Sequence, residues 1–165
     1  MTARVALLEH DDGGAARMLL TALVPEGAHV ELIDPIALPD APFRLRKIGE
    51  APGRMPGAFL ALARGRYEVA HAFTAQDAAV AIAWSRLRGG TAVFTQREPL
   101  TRATVADRRL RLRMLTLALE HAAAVVAPDE EVASSVRRWM AVDPNVLAPE
   151  DAAAHLALYA ALRRR

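Results

Sequence analysis

Residues 68–95 read EVAHAFTAQDAAVAIAWSRLRGGTAVFT, and this stretch decides the fold. Glu68–Ala72 is a short, continuous apolar run of the kind shown by a strand buried on both faces. Ala75–Leu87 has helical length and spacing, Gly89-Gly90 marks a stop, and Ala92–Thr95 is a second apolar run. Two buried strands joined by a helix lie parallel, through a right-handed crossover. The alternation continues in both directions. Upstream come a strand at Arg4–Leu8, a helix at Gly14–Val24 and a strand at His29–Ile33. A link through Pro35, Pro39 and Pro42 then leads to a weak strand at Leu45–Ile48 and a helix at Pro56–Arg64. Downstream follow the longest helix, Ala103–His121, a strand at Ala124–Ala127 and a helix at Pro128–Met140. A short strand at Asn145–Leu147 and a helix at Asp151–Arg164 close the chain. The expected fold class is a single α/β, doubly wound parallel sheet of about six to seven strands with helices on both faces.

Composition agrees with a single folded unit. The chain has 165 residues, 53% of them hydrophobic, enough to bury a full core and too apolar for a disordered segment. It has no cysteine, which excludes disulfides and thiolate metal sites. No run reaches about 18 uncharged apolar residues, and MTARVALL lacks the layout of a signal peptide, so a cytoplasmic protein is expected. Lys47 is the only lysine among 21 basic residues, and the net charge of +2 is too small to argue for nucleic acid. The basic stretches at Arg102–Arg113 and Arg163–Arg165 carry no interleaved aromatics, so a stacking platform for single strands is not expected. They leave room for peripheral contact with an anionic surface.

Ligands of a doubly wound sheet bind beyond the carboxyl ends of the strands, so the loops at 9–14, 34–43, 71–76, 96–102 and 127–130 are where a site is sought. The first reads Glu9-His10-Asp11-Asp12-Gly13-Gly14. It has neither the G-x-G-x-x-G of a dinucleotide site nor the Gly-Lys-Ser/Thr of a P-loop. Gly13 and Gly14 either make the strand-to-helix turn alone or let a ligand approach a helix N-terminus. A receiver-type magnesium site at these acids would need a lysine late in the sheet, where none exists, and no metal or cofactor is expected. In the loop at 71–76, His71 is a candidate ligand or base, although a lone histidine at a strand end reads first as a hydrogen-bonded structural residue. Thr74 is an expected N-cap, with Asp77 in the place of a capping-box acid. Strand Ala92–Thr95 delivers Gln96, Arg97 and Glu98 to the sheet edge. Arg97, Arg102 and Arg108 lie on the cleft side as candidates to hold an anion, whereas Arg109, Arg113, Thr116 and Glu120 form one solvated stripe.

From Tyr67 to Val146 the sequence resembles the N-terminal half of family 4 glycosyltransferases, enzymes of the GT-B type that use nucleotide-sugars. The stretches VAHAFT, VFTQREPL, AVVAPDEEVASSVRRW and VDPNV follow one another at the family's spacing, and the resemblance runs in order over residues 3–147. Gly13-Gly14 falls where the family has a glycine-glycine loop. The resemblance implies an acceptor-binding Rossmann-like domain at residues 1–147. In the family a second domain binds the nucleotide-sugar and carries a pair of glutamates, with chemistry in the cleft between the two. Gly13, Gly14 and Asp12 would then face the donor's phosphates and sugar, while His71, Thr74, Arg97, Glu98 and Arg102 would line the acceptor side. Where Arg97 stands the family often has histidine; arginine cannot act as a base near neutral pH, but it can hold a phosphate or carboxylate.

After VDPNV the chain runs directly into LAPEDAAAHLALYAALRRR, which resembles the family's closing segment. Residues 148–165 are therefore expected to pack back on the same domain, with Ala152, His155, Leu156, Tyr159 and Leu162 along one side. The donor domain is expected to be missing, no catalytic residue is assigned, and independent activity is not expected. A separate donor-binding subunit, a homodimer, or a sugar, phosphorylated or lipid-linked ligand are the partners this implies. The alternative is a homo-oligomeric interaction or scaffold protein without sugar-transfer chemistry.

Overall fold

The computed structural model describes residues 3–10, 14–34, 45–47, 54–103 and 109–164. Seven strands form one sheet: β1 (Arg4–Leu8), β2 (His29–Asp34), β3 (Leu45–Lys47), β4 (Val69–Ala72), β5 (Thr91–Thr95), β6 (Ala124–Ala127) and β7 (Asn145–Val146). Their order is β3-β2-β1-β4-β5-β6-β7, and every neighbouring pair is parallel. The helices are α1 (Ala15–Leu23), α2 (Arg54–Arg64), α3 (Ala75–Arg88), α4 (Arg109–His121), α5 (Glu130–Met140) and α6 (Ala152–Leu162).

Side chains alternate across the pleat and divide the core in two. Val5, Leu7, Val69, Phe73 and Val126 pack against α1 and α6 on one face. Ala6, Leu8, Ala70, Ala72 and Phe94 pack against α2, α3 and α4 on the other. Helix α1 supplies its face through Ala16, Leu19, Leu20 and Leu23, the i, i+3, i+4, i+7 spacing of an amphipathic helix. The stop after α3 is a matter of room. Gly89 adopts a left-handed φ of 75° as C-cap, and a Cβ on Gly90 would stand 2.0 Å from the Trp84 indole.

The closing helix α6 begins with Asp151, whose carboxylate accepts from the Ala154 N–H at 3.0 Å. It buries Ala152, His155 and Tyr159 against the α1 face of the sheet, with Leu156 and Leu162 packed beside them. Arg163 pairs with Glu68 at the start of β4. The tyrosine hydroxyl lies 2.6 Å from His71 Nδ1 inside the core. Phenylalanine at 159 would keep the packing and strip His71 of that partner. Tyr159→Phe should cost about 1–3 kcal/mol, read from urea midpoints, because a buried polar nitrogen would be left unsatisfied.

Among the described residues no helix is long and apolar enough to cross a membrane.

Candidate functional site

The strand order reverses between β1 and β4, since β2 lies on one side of β1 and β4 on the other. That switch point opens a crevice beyond the carboxyl ends of the two strands. Register sets what meets there: Leu8 pairs with Ala72, and the Phe73 N–H donates to the Leu8 carbonyl at 3.1 Å. Residues 9–10 and 73–74 therefore leave the sheet side by side.

His10 and Thr74 meet at this point, together with Asp77 from the first turn of α3. Thr74 caps α3, accepting from the Asp77 N–H at 3.2 Å. Its hydroxyl donates to Asp77 Oδ2 at 2.8 Å, and its oxygen lies 2.9 Å from His10 Nδ1. His10 Nδ1 is itself 2.8 Å from Asp77 Oδ2. With Nδ1–H donating to the carboxylate, the neutral ring carries its basic lone pair on Nε2. A histidine held in this way can accept a hydrogen bond, or the proton, from a hydroxyl group. Both side chains are only slightly exposed, at 17% and 9%, so the pairing is weakly screened.

The second element of the crevice is Glu9, 3% exposed at the start of the turn into α1. Its Oε1 accepts from the Ala15 N–H at 3.1 Å and its Oε2 from the Ala16 N–H at 3.2 Å. Arg97, arriving from β5, donates to the same Oε1 at 3.2 Å. Gly14 is the N-cap residue of α1 with a left-handed φ of 69°, and nothing lies within 4 Å of where a Cβ would stand.

Several candidates named from the sequence come together here and others do not. Gly14, Thr74 and Arg97 lie around the β1/β4 switch point, and Arg97 donates to the protein's own Glu9. Asp12 and Gly13 lie outside the described residues, as do Arg108 and most of the loop at 34–43. Glu98 is exposed, and its carbonyl accepts from Gln96 Nε2 at 2.7 Å, which shapes the loop after β5. Arg102 is exposed in a helical segment that follows at residues 102–103.

His71 is fully buried. Its Nδ1 meets Tyr159 and its Nε2 lies 2.6 Å from Thr95 Oγ1, while its ring stacks on Phe73 at 4.6 Å. A neutral ring, with one nitrogen donating and one accepting, satisfies both contacts. Burial holds its pKa well below the ordinary range, with His155 adding to the effect, and burial pushes the Tyr159 phenol up. As placed, His71 fastens α6 to the sheet.

Glu9 and Asp77 carry much of the geometry of the site, although the sequence reads them first as one of the acids of a receiver-type turn and as a capping acid. The usable clue is positional. His10 and Thr74 each stand two residues beyond the ends of β1 and β4, the strands that flank the switch point. Among the described residues no cluster of three or more histidines and acids suits a metal ion.

By sequence, no protein-family model and no characterised protein matches the chain. By structure, it resembles a portion of sucrose-phosphate synthase from Thermosynechococcus elongatus, described as segments 27–220 and 406–426. The TM-score is 0.69 at 18% identity, over 97% of each chain. Against the longer sucrose-phosphate synthase chain the TM-score is again 0.69 at 18% identity, over 87% of this chain and 47% of that one. HepE of Anabaena, in complex with UDP and glucose, gives 0.64 at 16% identity, over 82% and 41%. UDP-GlcNAc 2-epimerase from Methanocaldococcus jannaschii gives 0.58 at 10% identity, over 84% and 42%. The chain spans about half the length of these longer proteins or less. The likeness is one of fold: a Rossmann-like α/β sheet of the kind found in glycosyltransferases.

Proposed function

We propose that the chain is the acceptor-side domain of a GT-B glycosyltransferase-like protein of the family 4 kind, working with a donor-binding partner. The observation that carries this reading is the His10–Thr74–Asp77 cluster at the β1/β4 switch point, where a hydroxyl group can be held and its proton accepted. Three features support it. The fold is shared with a sucrose-phosphate synthase and with HepE, which is seen with UDP and glucose. The match to the two-segment portion runs over nearly the whole of both chains, as expected if the closing helix belongs with the N-terminal unit. The ordered series VAHAFT, VFTQREPL and AVVAPDEEVASSVRRW points the same way. An epimerase with the same fold shows why the site, and not the sheet, has to carry the argument. Transfer needs donor and acceptor held together, so turnover belongs to the assembled pair.

The homo-oligomeric scaffold remains the second reading, and it rests on Trp139 and Val146, exposed at 41% and 43% around edge strand β7.

Ligand-observed NMR with glucose, methyl glucosides and disaccharides, with UDP as comparison, tests the first reading. A neutral sugar should bind in the millimolar range, and His10→Ala should weaken it at least about tenfold, roughly the worth of one hydrogen bond to a polar site group. Absence of any sugar response, or a response untouched by His10→Ala, would contradict the acceptor reading.

A further inference from the structure

The turn from β1 into α1 has the makings of an anion site: two helix-terminal N–H groups, a left-handed glycine with open space beside it, and an arginine. The two N–H groups and the arginine are all engaged by Glu9. One carboxylate oxygen meets the Ala15 N–H, the other meets the Ala16 N–H, and Arg97 joins the first. We propose that Glu9 is a resident anion, filling the phosphate position at the head of α1, so that the crevice receives an uncharged, hydroxyl-bearing part of its ligand there and rejects phosphate.

Three observations carry this. The carboxylate is buried at 3% exposure, which is tolerated because its bonds to the two N–H groups and the guanidinium replace water. Its two oxygens divide between successive amides as two oxygens of a phosphoryl group would. The arginine that would clamp an incoming anion comes from β5 and is spent on the same oxygen that Ala15 holds. A phosphate entering beside Gly14 would meet the Glu9 carboxylate, with the two amides and Arg97 already engaged by it. A sugar hydroxyl meets no such barrier and finds acceptors in Glu9 and in the His10–Asp77 pair. The ligand class of the inference rests on the crevice being the ligand site; the exclusion of phosphate rests on the geometry alone.

The test is a titration with inorganic phosphate at constant ionic strength, following the Ala15 and Ala16 amide resonances and the melting temperature. The native protein should show no saturable change. Glu9→Ala should bind phosphate at least about tenfold more tightly, through the vacated amides and Arg97. The double variant Glu9→Ala/Arg97→Ala should lose that gain. If Glu9→Ala fails to fold in chloride, recovery in phosphate supports the inference. Failure to recover, together with no phosphate response from Glu9→Gln, overturns it. Saturable phosphate binding by the native protein at Ala15 and Ala16 overturns it as well. Sugar binding by the native protein is read separately, so a failed acceptor reading and a failed anion plug give different results.

Discussion

Leucine in place of His155 should stabilise the protein by about 1–3 kcal/mol, the span over which removing a buried, unsatisfied polar group acts. His155 is 2% exposed, and neither ring nitrogen has a hydrogen-bond partner of good geometry among the described residues. Its ring lies 5.7 Å from that of His71, on the apolar side of α6 that packs on the sheet. Burial lowers its pKa, while the Ala148 carbonyl and the Asp151 carboxylate pull in the opposite direction. Leucine is close in volume and has nothing to desolvate. The same substitution should change the response to acid. His71 and His155 both have folded pKa values below that of the unfolded chain, so the unfolded state takes up protons first. Stability is complete above about pH 6.5 and is lost as the pH falls toward the folded values, by up to about 1.4 kcal/mol per pH unit for each histidine. Chemical denaturation at pH 7.5 and 5.5 should show the native protein losing up to about 3 kcal/mol and His155→Leu losing about half as much. An unchanged or lower stability of His155→Leu at pH 7.5 would mean that the ring is satisfied by something its geometry does not reveal.

Glu9→Ala should act in the other direction, costing about 2–3 kcal/mol. It removes the acceptor of two amides at the head of α1 and the Glu9 contact of Arg97. The open space beside Gly14 admits water, which keeps the loss below that of a sealed core site. Glu9→Gln retains one acceptor oxygen and should lose about half as much. Urea midpoints of the three proteins give that order. Equal stability for all three would show that the helix head does not depend on the carboxylate.

Period and punctuation made most of the architecture legible from sequence. Arg4–Leu8 and Ala124–Ala127 are strands with the bounds that their apolar runs indicate, and most other elements shift by a residue or two at fraying ends; of the helix expected over Ala103–His121, Arg109–His121 is described and residues 104–108 lie outside the described residues. The burial of Ala152, His155 and Tyr159 follows from one helical stripe. Longer-range information was harder to read. Strand order is not written in any local pattern, so the pairing of Leu8 with Ala72 and the meeting of His10 with Asp77 across 67 positions came only with the topology. Glu9 shows the same limit. Its folding back onto Ala15 and Ala16 is a matter of three dimensions. His71 lies at a strand end, where its neighbours in sequence favour a hydrogen-bonded structural residue without naming its partner; that partner, Tyr159, stands 88 positions away.

The most direct measurement of the central idea is an amide chemical-shift titration of the native protein with a neutral sugar and, separately, with phosphate. A hydroxyl-binding crevice at the β1/β4 switch point should concentrate the sugar-induced shifts at His10, Gly14, Thr74 and Asp77, while phosphate leaves them unmoved. Shifts confined to Trp139, Val146 and the β7 edge, or phosphate acting on Ala15 and Ala16 where sugar does not, would contradict it.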